Sequence, residues 1–169
     1  MHQLQSHIWE RACRSGYPLD GGPPARDGDC ALSAAVTADA FISSGGVLHL
    51  FDAAVTRLAE VSSGYRFFGF DRLADFTAAV DLRLEGRMLS EVADSSSAEA
   101  RSVVVRSLPL LGLVVTSGST CTEIGQALDL WYFTSVSPRL PERFVEHLLQ
   151  QPSAYAPPSH PCVWGLASA

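Results

Sequence analysis

One stretch has the composition of catalytic machinery. Residues 114–128, VVTSGSTCTEIGQAL, run from a β-branched segment through a Ser/Gly/Thr turn into the start of a helix. Hydroxyls and a glycine at a helix N-terminus gather backbone amides and the positive end of the helix dipole at one point, the arrangement that holds phosphate or carboxylate. Ser117, Gly118, Ser119 and Thr120 would form such an anion loop, with Glu123 or His49 as its acid–base group. The same residues suit a helix start that binds nothing, because Thr120 and Glu123 stand three apart as a capping box. Phosphate loops of this kind sit on parallel sheets made of several strand–helix units, and this chain supplies one such unit. Capping is therefore the expected role, and anion binding the alternative.

Other arrangements are weaker. Ser117 and Ser119 lack the G-x-S-x-G elbow that exposes a nucleophilic serine. Glu123 and Asp129 lie six apart, on different sides of one helix, so they do not form an acid pair. His49, in VLHLF, reads as a hydrogen-bonded core residue first and a lone acid–base group second. The chain contains no lysine and no asparagine. That excludes Schiff-base chemistry, a Walker-type lysine, lysine-paired serine nucleophiles and N-glycosylation. Cys13, Cys30, Cys121 and Cys162 show no C-x-x-C spacing, and the five histidines are scattered, so the cysteines are expected to be buried free thiols. No catalytic residue, cofactor or metal is assigned.

The elements around that stretch read as helices. A length of 169 residues suits one domain, and 47% hydrophobic against 18% charged residues places it among globular chains. No apolar run is read as reaching the ~18 residues of a membrane span, and MHQLQSHIWERACR lacks the layout of a signal peptide. A cytoplasmic location is expected.

In the first helix Leu4, Ile8, Trp9 and Ala12 recur at helical spacing. Residues 17–28 form a Pro/Gly/Asp loop, and Asp29 is the expected N-cap of a second helix with Leu32, Ala35, Val36, Ala40 and Phe41 as its stripe. Gly45 and Gly46 interrupt it, predicting a sharp structural turn. Leu58, Val61, Tyr65 and Phe68 line a third helix ending near Gly69. Asp71 caps a fourth, with Leu73, Phe76, Val80 and Leu84 on one face and Gly86 at its close. Residues 102–117 predict either a small β-hairpin or an irregular insertion. Beyond it, Ile124, Leu128 and Trp131 line one helix, and Phe144, Val145, Leu148 and Leu149 another that starts at Pro141. The expectation is a mainly α, single compact bundle of about six helices over 1–152, with 153–169 as a frayed Pro/Ser/Ala-rich tail.

Two stretches carry a family resemblance. Residues 30–82 place a helix, a double glycine, an aromatic-rich turn and a Gly-terminated helix before another helix. Residues 123–155 place Leu-Asp, an aromatic pair and a last helix with a short tail. In this order they resemble the bacterial DNA-mimic-protein-like domain family. The resemblance implies an all-α fold, frequent homodimers and no enzymatic activity, and in the family's namesake an acidic face that occupies the DNA-binding surface of a transcription factor. The acids available for such a face are Asp71, Asp75, Asp81, Glu85, Glu91, Asp94 and Glu99. Arg72, Arg83, Arg87 and Arg101 interleave with them, as on a solvated face, and a net charge of −6 is mild for imitating a duplex. Residues 87–121 depart from the family pattern.

The expected function is a non-catalytic helical protein–protein interaction module, in one form an acidic, DNA-mimic-like regulator of a DNA-binding protein. Two alternatives stand beside it. One is a small enzyme or ligand-binding protein using Thr116–Thr120 for an anionic ligand. The other is a neutralising or structural partner of a neighbouring gene product. Direct nucleic-acid or membrane binding is not expected, since the charge is acidic and no arginine cluster is present.

Overall fold

In a computed structural model of the chain, which describes residues 2–13, 26–53, 58–84, 102–116 and 118–157, the apolar stripes become six helices beside a shorter helical stretch at 102–107. The six are α1 (His2–Cys13), α2 (Asp27–Ala53), α3 (Leu58–Phe67), α4 (Asp71–Leu84), α5 (Cys121–Ser135) and α6 (Leu140–Gln150). No strand occurs among the described residues, and the fold is a mainly α bundle.

The hairpin alternative for 102–117 does not materialise. Residues 102–107 are α-helical and run into a 3-10 turn at Leu108–Leu111, closed by Gly112 in the left-handed region. Val104, Leu108 and Leu111 are buried, and their i, i+4, i+7 spacing is a helical period. Pro109 sits at the start of the 3-10 turn, where its missing N–H does no harm.

α2 is the central element, packing against α1, α3, α5 and the turn Pro152–Ala154. Its buried residues include Leu32, Ala35, Ala38, Ile42, Leu50 and Phe51. Small residues let α3 approach closely: a Cβ on Gly64 would lie 2.8 Å from the Ala31 carbonyl oxygen and 3.2 Å from Ala34 Cβ. Ala40, placed on the apolar stripe by its spacing, is exposed, as is Leu149 on α6. By length and composition Asp27–Phe51 would suffice to cross a membrane; here Asp29 and Asp39 interrupt it and its apolar face belongs to the bundle core.

α3 and α4 pack through Tyr65, Phe68, Leu73, Phe76 and Val80, with the Ser62 hydroxyl donating to the Ala74 carbonyl at 2.9 Å. Phe76 meets Phe51 of α2 edge-on at 5.7 Å, an arrangement that adds roughly 0.5–1.5 kcal/mol beyond burial. Asp71 is the first residue of α4 rather than its cap, since the Phe70 carbonyl accepts the first helical bond from Ala74. Residues 153–157, expected to fray, are instead packed: Tyr155 and Ala156 are buried. Residues 85–101, Gly86 among them, lie outside the described residues, as does the chain beyond 157.

Candidate functional site

The Ser/Gly/Thr turn is a completed helix cap. Thr120 Oγ1 accepts the Glu123 amide at 3.2 Å, and Glu123 Oε2 accepts the Thr120 amide at 2.7 Å and its hydroxyl at 3.1 Å. Thr116 Oγ1 lies 3.0 Å from Ser119 Oγ, and the Ser119 amide donates to the Thr116 carbonyl at 3.1 Å. The Thr120 backbone bond, followed by its hydroxyl, holds the Glu123 carboxyl below the ordinary carboxylate range. The resident carboxylate thus takes the Thr120 amide, and the Thr120 hydroxyl the Glu123 amide, that an incoming anion would need. Gly118 is exposed, and Ser117 lies outside the described residues.

The double glycine is a break in α2 that α5 caps. Gly46 adopts φ 84, ψ 173, a region open essentially to glycine alone. The chain then restarts as a helix, and its first amide, from Val47, donates to Asp129 Oδ1 at 2.6 Å. A Cβ on Gly46 would stand 2.7 Å from Asp129 Oδ2. Asp129 is therefore an N-cap supplied from another helix rather than half of an acid pair with Glu123. His49 lies just beyond this break and is exposed, with its ring edge-on to Phe41 at 6.2 Å. The core position expected for it is not found, because Val47, Leu50 and Phe51 form the buried face at helical spacing and His49 falls outside it.

Inside the bundle a chain of polar groups crosses from α3 through α5 to α2. Tyr65 Oη is 3.5 Å from Tyr132 Oη, and Tyr132 donates to Asp39 Oδ1 at 2.8 Å. Burial, above all, raises both phenols far above the ordinary tyrosine range. They stay protonated and act as hydrogen-bonding groups, not as bases.

Asp29 is the most enclosed carboxylate described. Its side chain is 0% exposed and that of Arg11 is 13%. Arg11 Nη2 donates to Oδ1 at 2.6 Å, while Oδ2 accepts the amides of Arg26 at 3.1 Å and Ala156 at 2.8 Å. Since α2 begins at Asp27, Asp29 is the third residue of the first turn, reaching back to the amide before the helix as an acidic capping-box residue does; it is not the N-cap that its position suggested. One carboxylate so ties α1, α2 and the C-terminal segment. Beside it, His147 stacks at 4.2 Å on Phe67, and Nδ1 is 3.2 Å from Tyr155 Oη. Desolvation lowers the His147 pKa and raises that of Tyr155.

Of the seven acids, Asp71 is exposed, Asp81 is half-buried, and Asp75 pairs with Arg66 at 2.6 Å; Glu85, Glu91, Asp94 and Glu99 lie outside the described residues. Cys13, Cys30 and Cys121 are free, as expected, but exposed rather than buried. Partial burial, then Glu10 for Cys13 and then Asp29, Asp27 and Glu60 for Cys30, raises both thiols, which suppresses nucleophilic thiolate. Cys162 lies outside the described residues. Among the described residues no three His, Cys, Asp or Glu side chains gather as a metal site.

α5 leaves two large apolar side chains outward beside the exposed Glu123, Gln126 and Thr134. Leu130 is 67% exposed and Phe133, one turn on, 42%, while Ile124, Leu128 and Tyr132 are buried on the opposite side. The sequence carried a signal for this. LDLWYF places five large apolar side chains in six positions, more than one helix face can bury.

Compared with protein-family models, with curated proteins and with solved structures, the chain matches none. The resemblance to the DNA-mimic-protein-like family rests on the pattern of 30–82 and 123–155 alone.

Proposed function

We propose that this chain is a non-catalytic helical protein-interaction module that presents Leu130 and Phe133 of α5 to a protein partner. The observation that carries the reading is this exposed apolar pair, one turn apart on a helix whose other face is fully packed. Leu130 and Phe133 have 67% and 42% of their surface left to bury, so docking contributes roughly 1–2 kcal/mol for the Leu and roughly 0.5–1.5 kcal/mol for the Phe, enough to anchor a small interface when polar contacts ring it. The polar groups that chemistry would recruit serve the fold: Glu123 and Asp129 cap helices, Tyr65 and Tyr132 bond within the core, and Asp29 is clamped. An acidic, DNA-mimic-like partner face is the less supported form, because Asp75 is neutralised by Arg66.

The test compares the wild type with Leu130→Asp/Phe133→Asp in pull-downs from the native host lysate at low and high salt. Equal circular dichroism would establish that both are folded. A partner held by the wild type at both salt concentrations, and lost from the variant, supports the apolar face. A partner retained equally by the variant and released by salt overturns it in favour of a charged one.

A further inference from the structure

The net charge of the chain is concentrated on two helices. α2 and α5 together hold six of the eighteen acidic residues and none of the twelve arginines, so the whole net charge of −6 lies on them and the remaining acids and arginines balance. These two helices pack against each other. Along α5, Glu123, Gln126, Leu130 and Phe133 follow at i, i+3, i+7 and i+10, which sets them in one stripe, and all four are exposed. The first arginine after α5 is Arg139, beyond the helix end in the turn Ser137–Arg139.

Carboxylates bracket the apolar pair. Glu123 heads the stripe. Asp129 directly precedes Leu130, and its Oδ1 accepts the Val47 amide at 2.6 Å. Asp39 of α2 accepts the hydroxyl of Tyr132, the residue before Phe133, at 2.8 Å. The donors to these three carboxylates are backbone amides and hydroxyls, which leave the negative charge in place. Among the described residues none of the three is in an ion pair, whereas Asp29, Asp75 and Glu146 each meet an arginine.

An apolar pair flanked by uncompensated charge of one sign discriminates between partners: a like-charged surface is repelled and a cationic one is attracted. A stripe two to three turns long on one helix matches the apolar side of another amphipathic helix. We infer that the partner segment that covers Leu130 and Phe133 is a cationic amphipathic helix, its apolar side chains against the pair and its Arg or Lys residues facing Asp39, Glu123 and Asp129. The inference rests on the role proposed for α5 and adds the chemistry of the segment that fits it. The apolar contacts hold the helix, and the charges select it.

The experiment measures fluorescence anisotropy of two labelled amphipathic peptides with the same leucine face, one with arginine and one with glutamate on its flanks, against the full chain. Leu130→Ala/Phe133→Ala removes the apolar pair at unchanged charge. Asp39→Asn/Glu123→Gln/Asp129→Asn removes three charges and keeps an acceptor for each donor. Circular dichroism equal to that of the wild type establishes that each variant is folded; if one is not, the two peptides on the wild type decide. The arginine peptide should bind the wild type saturably, at least ~10-fold more weakly the alanine variant, and at least ~3-fold more weakly the charge-stripped variant. The glutamate peptide should bind the wild type at least ~10-fold more weakly than the arginine peptide. Equal binding of the two peptides, or an arginine peptide indifferent to the loss of the three charges, overturns the cationic helix and leaves the role of α5 standing. No binding of either peptide to the wild type also overturns the cationic helix. An arginine peptide that binds Leu130→Ala/Phe133→Ala as tightly as the wild type overturns the role of α5 itself.

Discussion

Replacing Asp29 with asparagine alters one atom at the point where α1, α2 and the C-terminal segment meet. The carboxylate faces donors on both oxygens: Arg11 on one, the amides of Arg26 and Ala156 on the other. Asparagine offers a single acceptor. Turned to the amides, it sets its NH2 against the guanidinium; turned to Arg11, it sets the NH2 against two backbone N–H groups. Either way a charge-assisted bond worth roughly 1.5–3 kcal/mol is lost or an amide is orphaned. With the pair broken on the buried side, the expected loss is about 3–5 kcal/mol. For a chain of roughly 150–250 residues each kcal/mol moves Tm by about 2–4 °C, so Tm should fall by about 6–20 °C. Urea unfolding followed by circular dichroism, with the m-value unchanged, reads the loss directly. Asp75→Asn is the matched control, because Arg66 and Asp75 are about half exposed and such surface pairs contribute roughly 0–1 kcal/mol. If Asp29→Asn costs no more than Asp75→Asn, the clamp is not what joins these three segments.

Three further outcomes follow from the same geometry. Gly46→Ala forces a side chain into a glycine-only conformation and against Asp129, which should cost about 2–4 kcal/mol in urea unfolding from strain and the lost cap together; a loss under about 1 kcal/mol contradicts the capped break. Tyr132→Phe strips the buried Tyr65 hydroxyl of its neighbour and should cost about 1–3 kcal/mol, while Tyr65→Phe/Tyr132→Phe should lose less than the sum of the two singles; strict additivity refutes the coupled chain. His147 has its pKa held below the ordinary histidine value by desolvation, so the unfolded chain takes up the proton first. Its contribution is present above about pH 6.5 and lost as pH falls from there through the lower folded-state pKa. Between pH 7 and 5.5 the wild type should lose more Tm than His147→Gln; parallel curves sink this.

Much of the fold was legible because its stripes follow the helical period without conflict. Leu58, Val61, Tyr65 and Phe68 are buried as spaced, and Thr120 with Glu123 forms the capping box that the local pattern specifies. The double glycine announced a break, and Gly46 makes it. What was not legible depends on partners distant in sequence. Asp129 caps Val47 from 82 residues away, and Asp29 holds Ala156 from 127; neither leaves a local signature. VVVRSLPLLGLVV misleads because three consecutive valines imitate a strand while Val104, Leu108 and Leu111 keep a helical period across Pro109. His49 looked internal from its apolar neighbours, but the helical face that buries Val47, Leu50 and Phe51 leaves it outside. The outward pair on α5 was readable, since no helix buries Leu128, Leu130, Trp131, Tyr132 and Phe133 on one side.

The central claim, that α5 meets a protein partner through Leu130 and Phe133, is tested most directly by hydroxyl-radical footprinting of the full chain, purified and within native host lysate. Oxidation of Leu130 and Phe133 should fall in the lysate while that of the exposed Leu82 stays unchanged. Leu130 and Phe133 labelled equally in both, with protection appearing instead over Asp71, Asp75 and Asp81 or over residues 116–120, would contradict the account.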